Sequence, residues 1–196
     1  MTNLPNHQDV SLYDRLRLNP EIVIDETLNE VRSYLKILLE RINIPEKDDD
    51  IGKILESLVR ILLESPYLEF NRSRRICKAG EIDLDFTVRK FPTTLFEEFD
   101  IFLIVECKNW KDKPGAPELR VFRDKMREVG SKVGIFIAKQ GVTKPSNTIV
   151  RDAWISEGII IIVFDKTDLE RIILKSENFY TILKDKYLSV RASSKE

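Results

Sequence analysis

Glu106 and Lys108, separated by Cys107 at the end of the run Ile101-Phe102-Leu103-Ile104-Val105, have the types and spacing to do chemistry. A strand turns successive side chains to opposite faces, so Glu106 and Lys108 point one way and Val105 and Cys107 the other. Phe102 and Ile104 precede them on the same face and are expected to be buried. Stripping an ion of water is costly, so a carboxylate and an ammonium at the edge of a core need partners. Upstream, Gly80-Glu81-Ile82-Asp83-Leu84-Asp85 supplies a second acidic strand. An acid on one strand and Glu-x-Lys on its neighbour form the skeleton of a site that hydrolyses phosphodiesters with magnesium. Such a reaction needs an activated water and neutralised charge on the phosphate, which carboxylate-held magnesium can supply. Magnesium keeps several of its waters, so Asp83, Glu106 and the backbone carbonyl of Cys107 suffice as protein ligands. Lys108 is then placed to orient or deprotonate the attacking water, or to stabilise developing negative charge. The bland alternative is an exposed Glu106–Lys108 ion pair beside a solvated acidic strand, and for Glu-x-Lys alone that alternative prevails. The buried run leading into the motif and the acidic strand before it shift the balance towards chemistry.

The elements that must position these residues are legible in the periodicity. Residues up to about 20 show no clear period and read as an arm. Leu28, Val31, Leu35, Leu38, Leu39 and Ile42 recur at helical spacing over Glu26 to Ile42, with Asp25 as N-cap. Residues 43–50, with Pro45 and an acidic triplet, form a linker. Asp50 caps a second helix, Ile51 to Ser65, which Pro66 ends. The period then changes to two: Ile82, Leu84, Phe86 and Val88 alternate with Glu81, Asp83, Asp85 and Thr87 as a half-buried strand. Ile101 to Lys108 is apolar on both faces and therefore central in a sheet. Arg72 to Cys77 adds an edge strand. A charged loop from Lys111 to Pro117 leads to a helix over Glu118 to Val129. Two further buried strands, Val133 to Ala138 and Ile159 to Phe164, bracket a helix from Pro145 to Glu157 whose apolar set includes Trp154. Thr167 and Glu170 form a capping box for the next helix. A last helix carries Phe179, Ile182 and Leu183, and Arg191 to Glu196 is a frayed tail. The sum is an α/β sandwich with a mixed sheet. Its divisions are an arm and helical extension over 1–50, a core over 51–176, and a C-terminal helix and tail over 177–196.

Bulk properties exclude much. With 42% hydrophobic and 33% charged residues the 196-residue chain can bury a real core. Net charge is −1, so contact with nucleic acid must come from local basic patches. The single histidine, His7, lies in the arm, which argues against histidine bases and imidazole-built zinc sites. Cys77 and Cys107 have no metal-ligand spacing; Cys107 reads as a buried free thiol, which suits a cytoplasmic location. No signal peptide or membrane span is visible, and no organic cofactor is expected.

Gly80-Glu81-Ile82-Asp83 and Val105-Glu106-Cys107-Lys108 match the two core motifs of the PD-(D/E)xK nuclease superfamily. The chain most resembles its restriction-endonuclease-like branch, which includes Mrr-type enzymes and archaeal Holliday junction resolvases. Leu55 to Leu63 resembles the helix preceding these motifs, and Gly134-Ile135-Phe136-Ile137-Ala138 followed by Gly158 to Ile162 resembles the downstream strand–helix–strand. The likeness covers Ile51 to Leu174. It implies a three-layer sandwich with a mixed central sheet flanked by helices. It also implies a DNA endonuclease with Asp83 and Glu106 as metal ligands and Lys108 as catalytic lysine, leaving 5′-phosphate and 3′-hydroxyl ends. Mg2+ is the implied cofactor, with Mn2+ able to substitute. Glu56 matches a helix glutamate that joins the metal site in many members; its alternative is a surface pair with Arg60. Glu81 or Asp85 could replace Asp83, though the register favours Asp83. The chain carries Glu where Mrr-type sequences frequently have Gln before x-Lys. It shows no recognisable DNA-reading domain, which argues against sequence-specific restriction. Restriction, defence or repair is the implied setting.

Arg72, Arg74, Arg75 and Lys78 form the best phosphate-binding cluster, with Lys111, Lys139, Gln140 and Lys144 following strand ends on the same edge. Trp110 either stacks on a base or caps the core, the second being the expectation. The N-terminal amphipathic helix, Glu26 to Ile42, is expected by default to pack on its own domain, although its apolar face is wide enough to pack on a second subunit and make a homodimer. The rival reading of the whole chain is a nuclease-like domain that binds nucleic acid or assembles without catalysis.

Overall fold

The structure, a computed structural model, describes residues 12–44 and 50–193. His7, the linker around Pro45 and the last three residues lie outside the described residues, as does the side chain of Asp50.

Helix α1 (Leu12–Leu18) and helix α2 (Pro20–Arg41) begin the described chain. The expected arm up to residue 20 is thus helical from Leu12. Pro20 opens α2, its fixed φ suiting the first helical turn. Asp25, expected as a cap, lies inside α2 and pairs with Arg32 at 3.3 Å. Helix α3 (Asp50–Leu63) ends before Pro66 as expected.

Five strands follow the order of the chain across one sheet: β1 (Leu68–Cys77), β2 (Gly80–Val88), β3 (Phe102–Lys108), β4 (Val133–Ala138) and β5 (Ile160–Phe164). β1–β2 and β2–β3 are antiparallel, while β3–β4 and β4–β5 are parallel. The edge strand expected over Arg72 to Cys77 is real but starts at Leu68, with a bulge between Phe70 and Arg72. β3 is the central strand. Phe102, the first residue of the strand, is nevertheless 37% exposed, against expectation.

The parallel crossovers use helices α4 (Ala116–Val129) and α5 (Lys144–Glu157), and the chain closes with α6 (Lys166–Ile173) and α7 (Phe179–Ala192). α4 starts two residues ahead of Glu118, whose carboxylate accepts from the Gly115 N–H at 2.8 Å and fixes the start. The capping box of α6 is Asp165 with Asp168, not Thr167 with Glu170: each side chain accepts from the other's backbone N–H, at 3.0 and 3.1 Å. Arg191, expected in a frayed tail, is helical, and its carbonyl accepts from the Trp154 indole at 3.2 Å.

Two cores sandwich the sheet. Leu103, Val105, Ile135, Ile137 and Ile162 pack with α2, α3, α6 and α7. Ile104, Phe136 and Ile161 pack with α4 and α5 through Leu119, Phe122, Met126, Ile149 and Ala153. The fold is a mixed five-stranded sheet between two helical layers, the restriction-endonuclease-like α/β architecture with an N-terminal helical segment.

Candidate active site

The β2–β3 ladder runs from Thr87 opposite Phe102 to Leu84 opposite Val105 and stops there. Beyond it the Cys107 N–H donates to a side chain, Asp83 Oδ2, at 2.7 Å. The strand also rolls over: Ile82 feeds the α4–α5 core, whereas Leu84 feeds the opposite one. The simple alternation expected for residues 81–88 therefore fails at Asp83, where strand pairing gives way to a side-chain bond. The result opens a gap at the carboxyl end of β3, beside the Glu106–Lys108 pair.

Glu106 is 4% exposed and held on both oxygens. Oε1 lies 2.6 Å from Lys108 Nζ, and Oε2 lies 2.8 Å from Lys125 Nζ. Lys125, itself 4% exposed, also donates to the Glu81 carbonyl and so ties β2 to β3 across the gap. Sequence reasoning passed over Lys125. Its signal is register: it falls three residues after Phe122 and one before Met126, on the apolar face of α4, where an unpaired lysine could not remain.

The electrostatics are those of crowded acids. Burial raises Asp83 to about 6; the Glu106 charge and, more weakly, Glu56 push the same way against the Cys107 N–H and Lys108. Burial also raises Glu56, helped by Glu81 and Glu106 and opposed by Arg74. Burial would lower Lys108, but Glu106 and Asp83 outweigh it and hold the ammonium above its ordinary value. The Cys107 thiol is pushed up by burial and then by Asp83, which makes it inert at neutral pH. Among the described residues no three acidic, cysteine or histidine side chains form a ready metal cage.

Glu56 pairs with Arg74 at 3.3 Å and not with Arg60, which instead reaches Glu64 at 3.8 Å and covers the Phe70 ring. Asp85 is 2% exposed beneath Arg72 and Arg75, at 3.3 and 3.4 Å. Both guanidinium groups meet the same oxygen, Oδ2. Three arginines of the expected phosphate cluster are thus drawn to β1–β2 and α3 acids. Lys78 sits in the hairpin turn, where the Glu128 carboxylate accepts from the Lys78 and Ala79 N–H groups at 2.6 and 3.0 Å. Lys111 and Gln140 are exposed. The Lys139 N–H donates to the Lys108 carbonyl at 3.0 Å, while its ammonium is 2.6 Å from the Ile42 carbonyl. Trp110 does not cap the core: it is 46% exposed, with Lys108 Nζ 5.4 Å from its ring centroid.

Residues 52–173, from α3 to the end of α6, match the Mrr_cat restriction endonuclease family, and the chain belongs to it. Domains of this class generally use divalent metals. A comparison with curated proteins finds no match. Among the described residues no helix is long and apolar enough to cross a membrane.

Proposed function

We propose that the chain is a magnesium-dependent endonuclease that hydrolyses DNA phosphodiesters at the Asp83–Glu106–Lys108 edge. The observation that carries this reading is the opened β2–β3 ladder, which gathers Asp83, Glu106 and Lys108 at one strand end. Buried acids that raise one another's pKa are a common mark of functional sites and are relieved by a cation. The donors are hard oxygens, and two carboxylates with the Cys107 carbonyl suit an ion that keeps most of its waters. When bound, magnesium supplies Lewis-acid charge neutralisation and an acidified water. Mn2+ has the same oxygen preference and substitutes.

The chain's own groups do the rest. Asp83, oriented by the Cys107 N–H, and Glu106, oriented by Lys125, hold the metal. Lys108 is held as an ammonium, which suits stabilising charge on the phosphate better than taking a proton. Glu56 lies in the same negative field and acts as an auxiliary acid once Arg74 turns to a phosphate. Arg72, Arg75, Lys78 and Lys111 flank the DNA path. The two free thiols, Cys77 and Cys107, suit a cytoplasmic enzyme, and cutting both strands of a duplex suits a homodimer.

The rival reading, a catalytically silent nucleic-acid-binding or assembly module, draws on one observation: both Glu106 oxygens already hold lysines. Plasmid cleavage separates the two. Nicking with Mg2+ or Mn2+, absent with chelator and lost in Asp83→Ala, supports the enzyme. Equal nicking by wild type and Asp83→Ala would sink the proposed site, and no nicking with either metal favours the silent module.

A further inference from the structure

Beside the Glu106–Lys108 edge lies a cavity of about 280 Å3. Trp110, Pro117 and Val121 form its apolar side, and the hairpin tip at Ala79 and Gly80 faces them. Trp110 is 46% and Val121 45% exposed, so this apolar wall is offered to solvent and not packed away. Gly80 adopts φ +127°, a conformation that favours glycine, and a Cβ there would meet Lys125 Cε at 3.4 Å. The tip is thus held close to Lys125, the strut of the site.

We infer that this cavity receives one unpaired nucleobase next to the phosphate under attack, and hence that the preferred substrate is DNA with an extrahelical or single-stranded base at the cut. The inference rests on the nuclease reading above and names its substrate class. Lys108 links the two halves: its ammonium is 2.6 Å from Glu106 and lies over the Trp110 ring. An anion-binding cation and an exposed aromatic side chain are therefore side by side, as the phosphate and base of one nucleotide are. A planar base stacks on indole whatever its sequence. A base still paired inside a duplex cannot reach a side pocket without leaving the stack, and that cost is least where pairing is already absent. A cavity of this volume is ample for one heterocycle.

The test measures binding without metal, so it does not depend on turnover. A short single-stranded oligodeoxynucleotide is compared with copies carrying one abasic position, each placed in turn. Trp110→Ala should weaken binding of the intact strand roughly five- to tenfold, and Trp110→Phe should restore it to within about twofold of wild type. One abasic position should impose the same loss on wild type but none on Trp110→Ala. In a Trp154→Phe background, which leaves Trp110 as the sole tryptophan, the intact strand should quench the fluorescence and that abasic copy should not. Unchanged binding in Trp110→Ala, or indifference to every abasic position, overturns the pocket. Cleavage assayed alongside keeps the two ideas apart. Asp83-dependent cutting with no base effect removes the pocket and leaves the nuclease. A base effect without any cutting keeps the pocket and removes the nuclease.

Discussion

β2 and β3 run side by side through two regions built on opposite principles. At the amino end of β3 the pairing closes tightly, with the Val88 N–H donating to the Ile101 carbonyl at 2.8 Å. There Tyr67 stacks on Phe96 at 4.9 Å, and Phe96 meets Phe99 and Tyr180 at 5.6 and 5.8 Å. The Tyr67 hydroxyl donates to the Leu16 carbonyl at 2.6 Å, and the Tyr180 hydroxyl accepts from the Leu95 N–H at 2.7 Å. Apolar area is buried and every named polar tip is satisfied. At the carboxyl end the ladder opens, and Asp83, Glu106, Lys108 and Lys125 crowd together at the strand end. One end supplies folding free energy; the other uses it to hold charges where water would not assemble them.

The sharpest way to break this contrast is to mutate one residue at each end. Lys108→Ala should lower DNA cleavage about 10²–10³-fold by removing a preplaced cation, while the thermal midpoint moves by only a few degrees. Phe96→Ala should do the reverse, costing about 3–5 kcal/mol of stability with cleavage per folded molecule retained in the cold. Denaturation curves and single-turnover rates on both proteins decide it. Parallel losses of stability and rate in both variants would erase the distinction.

Lys125 joins the two principles, since it lies on an apolar helix face yet braces the site. Lys125→Met keeps the bulk, leaves Glu106 with Lys108 alone and deprives the Glu81 carbonyl of its donor. The expected cost is about 1–3 kcal/mol, together with a fall in kcat at unchanged KM. Lys125→Arg should recover stability before it recovers rate, because a guanidinium can bridge the strands but not at the same distance. Equal recovery of both would make Lys125 a structural group only.

This contrast also explains what could be read from the chain in advance. β3 was legible because its apolar residues face both cores, and α3 because Pro66 stops it. Glu-x-Lys stood out because charge ends an apolar run there, and Asp83 because the Gly-Glu-Ile-Asp register favours it among three acids on one strand face. The roll of β2 at Asp83 was not legible, since alternation assumes an unbroken ladder and the break is made by a side-chain bond to Cys107, 24 residues away. Arg74 drawing Glu56 away from Arg60 is of the same kind: a cross-element pair displaced the helical one. Lys125 and the Asp165 cap were present as local patterns, but each depended on knowing which helix face or which turn met the sheet.

The two ends should also titrate apart, with the smallest of these effects. Asp83 is raised from an ordinary 3.8 to about 6. Between those values the folded protein binds more protons than the unfolded chain, so stability is highest below the lower value and falls as pH rises through the window. In chelator, wild type should therefore lose about 1–2 kcal/mol relative to Asp83→Asn between roughly pH 4 and 6, since a tenfold change in proton affinity is worth about 1.4 kcal/mol and solvent moderates it. Tyr67, raised from 10 to about 12 by burial and by Tyr180, places the corresponding loss at the aromatic end only in the alkaline range. Tyr67→Phe should flatten that alkaline limb and leave the acid one intact, and Asp83→Asn should do the opposite. Added Mg2+ should shrink the acid-limb difference, because a bound cation stabilises the ionised carboxylate. If midpoints of wild type and Asp83→Asn run parallel from pH 4 to 7 in chelator, the crowding of acids at the open end is not costing the fold what its geometry requires.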